Sequence, residues 1–160
     1  VSTYFVEKSL PDGASLEDYA IVRFCRDNMV YYGPRMDMGD KPLTREEILE
    51  RPLVLYPSSY YMNRIYTDYF MDTPRKYRIS ARLSSPYAII HYCQENEAGA
   101  LLPDRLLKTL GHREGIYPLK VPLQAEGYLI YRKDHPAARL IQDYVNQILA
   151  SFQSSTIKEK

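Results

Sequence analysis

No stretch of this 160-residue chain approaches the roughly twenty apolar residues in a row that a bilayer-crossing helix needs. Nor do its first residues show a charged region followed by an apolar core, so a soluble, cytoplasmic chain is expected. Cysteine is scarce: Cys25 and Cys93 sit on apolar segments without metal-type spacing, which favours a reduced core pair over a disulfide or a redox switch. An excess of one charge is missing too. Lys and Arg total 21 against 20 Asp and Glu, a net charge of +1, so the chain lacks the basic surplus with which to neutralise phosphates and is not expected to grip DNA by itself. Tryptophan is absent, and no repeat or low-complexity tract occurs. The signatures of catalysis are missing as well: there is no Gly-x-Ser-x-Gly elbow, no Gly-rich phosphate loop and no Gly-x-Gly-x-x-Gly after a strand. The histidines His91, His112 and His135 fall on different elements, and His91-Tyr92-Cys93-Gln94-Glu95 has no common metal geometry on a helix. Glu46-Glu47 and Glu95/Glu97 are explained by a helix cap and a solvated helix end. No enzyme, metal or cofactor is expected.

What is present is tyrosine, sixteen of them, a residue that serves in half-buried strands, interfaces and ligand sites alike. Residues 1–8 and Tyr19 to Gly33 read as strands, with Pro11-Asp12-Gly13 as a turn between them. The opening strand at Val1 points to a chain that begins inside a larger protein. Thr44-Arg45-Glu46-Glu47 has capping-box spacing with Leu43 and Ile48 as its staple, giving a short helix over about 44–51. Met62, Ile65, Tyr66, Tyr69 and Phe70 define one face of a helix, and Asn63, Arg64, Thr67 and Asp68 the other. Residues 76–83 alternate, with Lys76, Arg78, Ser80 and Arg82 on a face that reads as a solvated charge row. Ser85-Pro86 opens another helix with Ile89, Ile90 and Cys93 inside. A small strand at 100–103, a helix from Asp104 closed by Gly111, and strands near 116–121 and 127–132 follow. Last comes an amphipathic helix along Ala137, Leu140, Ile141, Tyr144, Val145, Ile148, Leu149 and Phe152, before a tail from Ser154 that should fray. Alternating strands and helices argue for an α/β layer structure with a mainly parallel sheet, incomplete at its N-terminal side.

The most informative stretch is Pro52-Leu53-Val54-Leu55-Tyr56-Pro57-Ser58-Ser59-Tyr60, a buried strand that breaks at proline and two serines directly before a helix. The first N–H groups of a helix have no intrahelical partner and the macrodipole is positive there, so hydroxyls and amides together can cradle a carboxylate or phosphate. The plainer alternative is a serine N-cap.

The order of Asn28-Met29-Val30-Tyr31-Tyr32-Gly33-Pro34, Leu43-Thr44-Arg45-Glu46-Glu47-Ile48-Leu49 and Pro52 to Pro57 resembles the effector-binding domain of LysR-type transcriptional regulators. The likeness continues through Glu97-Ala98-Gly99-Ala100-Leu101-Leu102-Pro103, with Ala98 where that family usually has glycine, and through Tyr128-Leu129-Ile130-Tyr131-Arg132-Lys133-Asp134. It implies an α/β, periplasmic-binding-protein type 2-like fold of two lobes joined by two crossover strands. The second lobe, residues 31–122, would be complete. Residues 1–30 and 123–160, the latter with the C-terminal helix, would form a partial first lobe. The resemblance further implies a small effector held between lobes by Ser58, Ser59 and Tyr60 from the second and Thr3 and Tyr4 from the first. It implies homo-oligomers and DNA contact through a winged helix-turn-helix not in this chain. A fragment of an extracytoplasmic solute-binding protein is the alternative from another functional class.

Overall fold

Fourteen consecutive residues rich in β-branched and aromatic side chains, Tyr19–Tyr32, form the longest strand of the computed structural model, as that composition favours. The structure describes residues 2–4, 16–34 and 41–157, with side chains for 17–34 and 41–152. In chain order the elements are β1 (Ser2–Tyr4), a 3-10 turn (Leu16–Asp18), β2 (Tyr19–Tyr32), α1 (Arg45–Ile48), β3 (Leu53–Leu55), α2 (Tyr61–Tyr69) and β4 (Ile79–Arg82). They continue with α3 (Pro86–Glu95), β5 (Ala100–Pro103), α4 (Asp104–Thr109), β6 (Ile116–Tyr117), β7 (Gln124–Arg132) and α5 (Ala138–Ile157). Residues 5–8 of the expected first strand, the Pro11-Asp12-Gly13 turn and residues 35–40 lie outside the described residues. The chain divides into two compact units, Val1–Arg26 with Glu126–Lys160 and Asp27–Ala125, so β2 and β7 each contribute to both.

In the unit Asp27–Ala125, β5 pairs antiparallel with residues 29–32 of β2, and β6 with Tyr31 and Tyr32. β3 and β4 are parallel, and Leu53 bridges Gly99, also in parallel. The expectation of a mainly parallel sheet is therefore corrected: β2, β5 and β6 pair antiparallel in one sheet, and β3 with β4 forms a separate parallel pair. β3 and β4 are linked through α2, the crossover that a parallel pair requires; β2 meets strands that run back along it. The strand expected over 76–83 is confined to Ile79–Arg82, and a register irregularity between Leu53 and Val54 leaves Ile79, expected inside, 44 % exposed. The strand expected near 116–121 shrinks to Ile116–Tyr117, with Leu119 bridging Leu43.

Local signals hold where their partners are close in sequence. Thr44 caps α1, its hydroxyl accepting from the Glu47 N–H at 3.2 Å while the Glu47 carboxylate accepts from the Thr44 N–H at 2.7 Å. Ser85 stands at the N-cap of α3 with Pro86 next, but its side chain makes no capping bond. Gly111 ends the α4 turn at a φ of 79°, which glycine adopts without a Cβ penalty. The core gathers Val30, Val54, Ile89, Cys93, Leu102 and Leu107 from strands and helices, each large aliphatic chain contributing about 1.5–3 kcal/mol by leaving water. Tyr31 is fully buried. A Cβ on Gly99 would stand 2.1 Å from the Tyr31 hydroxyl oxygen, so the ring fixes glycine at that position.

The other unit is built from β1 paired antiparallel with β7, the adjoining part of β2, and α5. α5 runs through Ser154–Ile157, beyond the last residue of the expected stripe. Val145 is buried, whereas Leu140 and Tyr144, members of the same periodic stripe, are exposed. A hollow of about 310 Å³ is lined by Phe24, Leu129, Tyr131, Ile141, Val145 and Phe152, among others, with Phe24 and Phe152 in edge contact at 5.1 Å between ring centroids.

Candidate functional site

β3 enters the site as three fully buried residues, Leu53, Val54 and Leu55, and its apolar run stops at Tyr56-Pro57. Residues 57–60 turn tightly, with the Tyr60 N–H donating to the Pro57 carbonyl at 2.9 Å. α2 begins immediately afterwards. Its N-cap is Tyr60, extended at φ −84° and ψ 137°, and no side chain caps the helix. The plain serine cap is thereby excluded: Ser58 and Ser59 lie two and one positions too early, in the turn, and both are exposed. The Asn63 N–H donates to the Tyr60 carbonyl at 3.0 Å, and the Tyr61 and Met62 N–H groups have no acceptor among the described residues. A nine-residue helix thus presents open N–H donors, and the positive end of its dipole, to the same exposed turn.

The junction is anchored from below by aromatic rings. Tyr56 stacks on Tyr60 at 5.8 Å and 12°, and on Tyr66 at 6.5 Å and 24°. Burial, with Tyr60 beside it, pushes the Tyr56 phenol up to about 12. Tyr66 donates to the Leu101 carbonyl at 2.7 Å, and Tyr69 to the Val121 carbonyl at 2.8 Å, while the Arg45 guanidinium stands 4.7 Å from the centre of the Tyr69 ring. Met62, Tyr66, Tyr69 and Phe70 are buried as their spacing predicts. Tyr66 and Tyr69 therefore fix the helix to the core, while Tyr60 is 43 % exposed.

One cation belongs to this junction that the charge-row reading set aside. Arg82, exposed at the end of β4, donates from Nη1 to the Tyr56 carbonyl and to Asn63 Oδ1, both at 2.9 Å. The signal was present but tertiary: Arg82 is the register partner of Leu55, so a parallel β3–β4 pair brings it to the strand end where Ser58 and Ser59 begin. Arg78, on the same row, donates instead to the Glu50 carbonyl at 2.9 Å. Thr3 and Tyr4 belong to the other unit, in β1, where they are register partners of Tyr128 and Gly127; their side chains lie outside the described residues. The structure thus brings together Ser58, Ser59 and Tyr60 with Arg82 and Asn63. Among the described residues no group of three His, Cys, Asp or Glu could hold a metal ion, and no helix is long and apolar enough to cross a membrane.

Residues 10–153 match the family described as the LysR substrate binding domain. The chain belongs to that family. No curated protein matches it in sequence. Among solved structures, this LysR-family chain is similar to the regulatory domain of Synechocystis PCC6803 CcmR in complex with 2-PG, at a TM-score of 0.73 and 14 % identity over 90 % of this chain and 70 % of that one. It is similar to the effector binding domain of QuiR in complex with shikimate, at a TM-score of 0.71 and 12 % identity over 96 % and 71 %. A Corynebacterium glutamicum OxyR C206 mutant aligns at 0.68 and 15 % identity over 91 % of this chain, which spans only 46 % of that longer chain. These likenesses give the fold: a LysR-type effector-binding domain of the periplasmic-binding-protein type 2-like class, present in part.

Proposed function

We propose that this LysR-family chain is the effector-sensing part of a transcriptional regulator, and that its effector is a small molecule carrying a carboxylate or another anionic group. The anion is held at the start of α2 by open N–H groups and by Ser58, Ser59 and Tyr60, with Thr3 and Tyr4 as contacts from the first lobe. Residues 31–122 act as the second lobe, and 1–30 with 123–160 as part of the first. The observation that carries the reading is an exposed, hydroxyl-rich turn running into an uncapped helix N-terminus with the Arg82 guanidinium bonded to the same junction, a combination of donors that suits an anion. The effector works by population shift: it stabilises whichever lobe arrangement it binds more tightly, and so biases an oligomer whose DNA contacts are made by a winged helix-turn-helix outside these residues, in the cytoplasm. The solute-binding alternative has no observation in its favour once the family is established.

Titrating the protein with a panel of metabolic acids, beside neutral and cationic analogues, and following thermal unfolding tests the proposal. A ligand at 100 times its Kd adds about 2.7 kcal/mol of stability, read as a raised Tm. Ser58→Ala with Ser59→Ala is expected to weaken anion binding about tenfold through lost hydrogen bonds. Stabilisation by neutral or cationic compounds alone refutes the anionic assignment.

A further inference from the structure

Three tyrosines stand in a row where β3 hands over to α2, all in the unit Asp27–Ala125. The innermost, Tyr66, is buried and tied by its hydroxyl to the Leu101 carbonyl. Tyr56, half-buried, stacks between Tyr66 and Tyr60, and Tyr60 ends the row as an exposed ring nearly parallel to that of Tyr56, at 12°. Among the described residues Tyr56 is the one ring that Tyr60 meets, so one face of Tyr60 is backed by the core and the other has no ring against it.

Nothing local explains a tyrosine there. Tyr60 is the N-cap of α2, a position that favours Ser, Thr, Asp or Asn because their side chains satisfy an open N–H, and the Tyr60 side chain makes no capping bond. A residue that breaks a local rule without a compensating contact in the fold is expected where function requires it. Arg82 makes a second case of the same kind. Its Nη1 is spent on the Tyr56 carbonyl and Asn63 Oδ1, and among the described residues it forms no ion pair, nor does Nε or Nη2 donate to any acceptor. The first turn of α2 carries no acidic residue, so a fixed guanidinium stands at the positive end of a helix dipole with nothing to offset it. The backbone carbonyl that orients this cation and the ring that backs Tyr60 belong to one residue, Tyr56.

We propose that the effector is an aromatic carboxylate and that Tyr60 is the specificity-determining residue for it: the ligand ring stacks on the face of Tyr60 turned away from Tyr56, and Arg82 takes the carboxylate through its remaining N–H donors. The inference deepens the anionic reading above and rests on it. Tyr60 is held flat before any ligand arrives, so stacking orders only the ligand. A stacked aromatic pair is worth about two- to tenfold in affinity beyond its buried area. A saturated ring of the same size has no π face and gains only the area.

The test uses this chain and two matched pairs of monocarboxylates, benzoate with cyclohexanecarboxylate and phenylacetate with cyclohexylacetate, which keep charge and carbon number and differ in the π face. Titration calorimetry is expected to show the aromatic member binding about fivefold tighter, and its ring protons should shift upfield in nuclear magnetic resonance spectra on binding. Tyr60→Leu should abolish that shift and the preference by weakening the aromatic acid alone, Tyr60→Phe should keep both, and Arg82→Gln should weaken the two members of a pair alike. Equal affinity within the pairs overturns the aromatic class, as does a Tyr60→Leu variant that weakens both members equally, which would make Tyr60 a wall of the site and not a stacking surface. Stabilisation by a ringless metabolic acid while none of the four monocarboxylates binds overturns it too. Each of these results leaves the anionic reading standing. Unchanged binding in Arg82→Gln overturns the assignment of the carboxylate to Arg82. Failure of every acid, ringed or not, removes the anionic reading and this inference with it.

Discussion

Leu107 on α4 and Leu140 on α5 both occupy apolar positions of helices, yet Leu107 is 0 % and Leu140 71 % exposed. The contrast extends to their surroundings. Around Leu107, helices α3 and α4 and strands β2, β3 and β5 contribute to one closed cluster; beside α5 lies an open hollow of about 310 Å³ lined by aromatic and aliphatic side chains. Helical periodicity establishes that an apolar face exists, and only tertiary structure determines whether the face is covered. The Pro57–Tyr60 turn sits in the unit with the closed core, and its neighbours Tyr66 and Tyr69 direct their hydroxyls to the Leu101 and Val121 carbonyls. Its donors can therefore stay open to solvent without loosening the helix that carries them.

The sharpest way to break this comparison is to open the closed core. Leu107→Ala leaves a cavity with little room to collapse, and a loss of about 2–5 kcal/mol is expected, measured by denaturant unfolding. A loss below that range would mean that the two units are packed alike after all.

How far these features could be read from the sequence depends on how local they are. The Thr44–Glu47 capping box, the Pro86 start of α3 and the Gly111 stop each involve residues within a turn of one another, and all are where their spacing puts them. The strand-to-helix junction at Tyr56 to Tyr60 was likewise legible, although the cap falls on Tyr60 and not on a serine. The strand directions were not, because β2 meets β5 and β6 some seventy or more residues away in sequence. Arg82 could be assigned to the junction only once β4 was known to pair in parallel with β3. Gly99 is read as a family feature in the sequence and as a steric demand of Tyr31 in the structure.

A second prediction concerns Glu126 on β7. Hydrogen bonds from three residues, Tyr128 first and then Arg26 and Arg23, hold the Glu126 carboxyl down at about 2, below its ordinary value of 4.5. A carboxylate whose pKa is depressed by folding contributes stability above its unfolded value and loses it as pH falls through the folded one. The stability difference between the chain and Glu126→Gln should therefore be full above pH 4.5 and fade towards about pH 2. Because both arginines are half exposed, its size is expected to be only about 1 kcal/mol. Unfolding curves collected across that pH range check it, and a difference that persists unchanged at the acid end would assign the effect to packing and not to charge.

The smallest effect should come from the open face. Leu140 is exposed on α5, so alanine in its place removes little buried area and creates no cavity. Alanine is also the better helix former, so the change should stay within about 0.5 kcal/mol. A loss comparable to that of Leu107→Ala would mean that Leu140 is covered in solution, and the Tm would then reveal by what. A midpoint that rises with protein concentration identifies a second copy over α5, since association stabilises by mass action. A large loss independent of concentration would place the cover within the chain itself. The near-neutral outcome would instead establish that α5 is held by Val145 and its neighbours along one edge of the stripe, leaving the rest of that apolar face free.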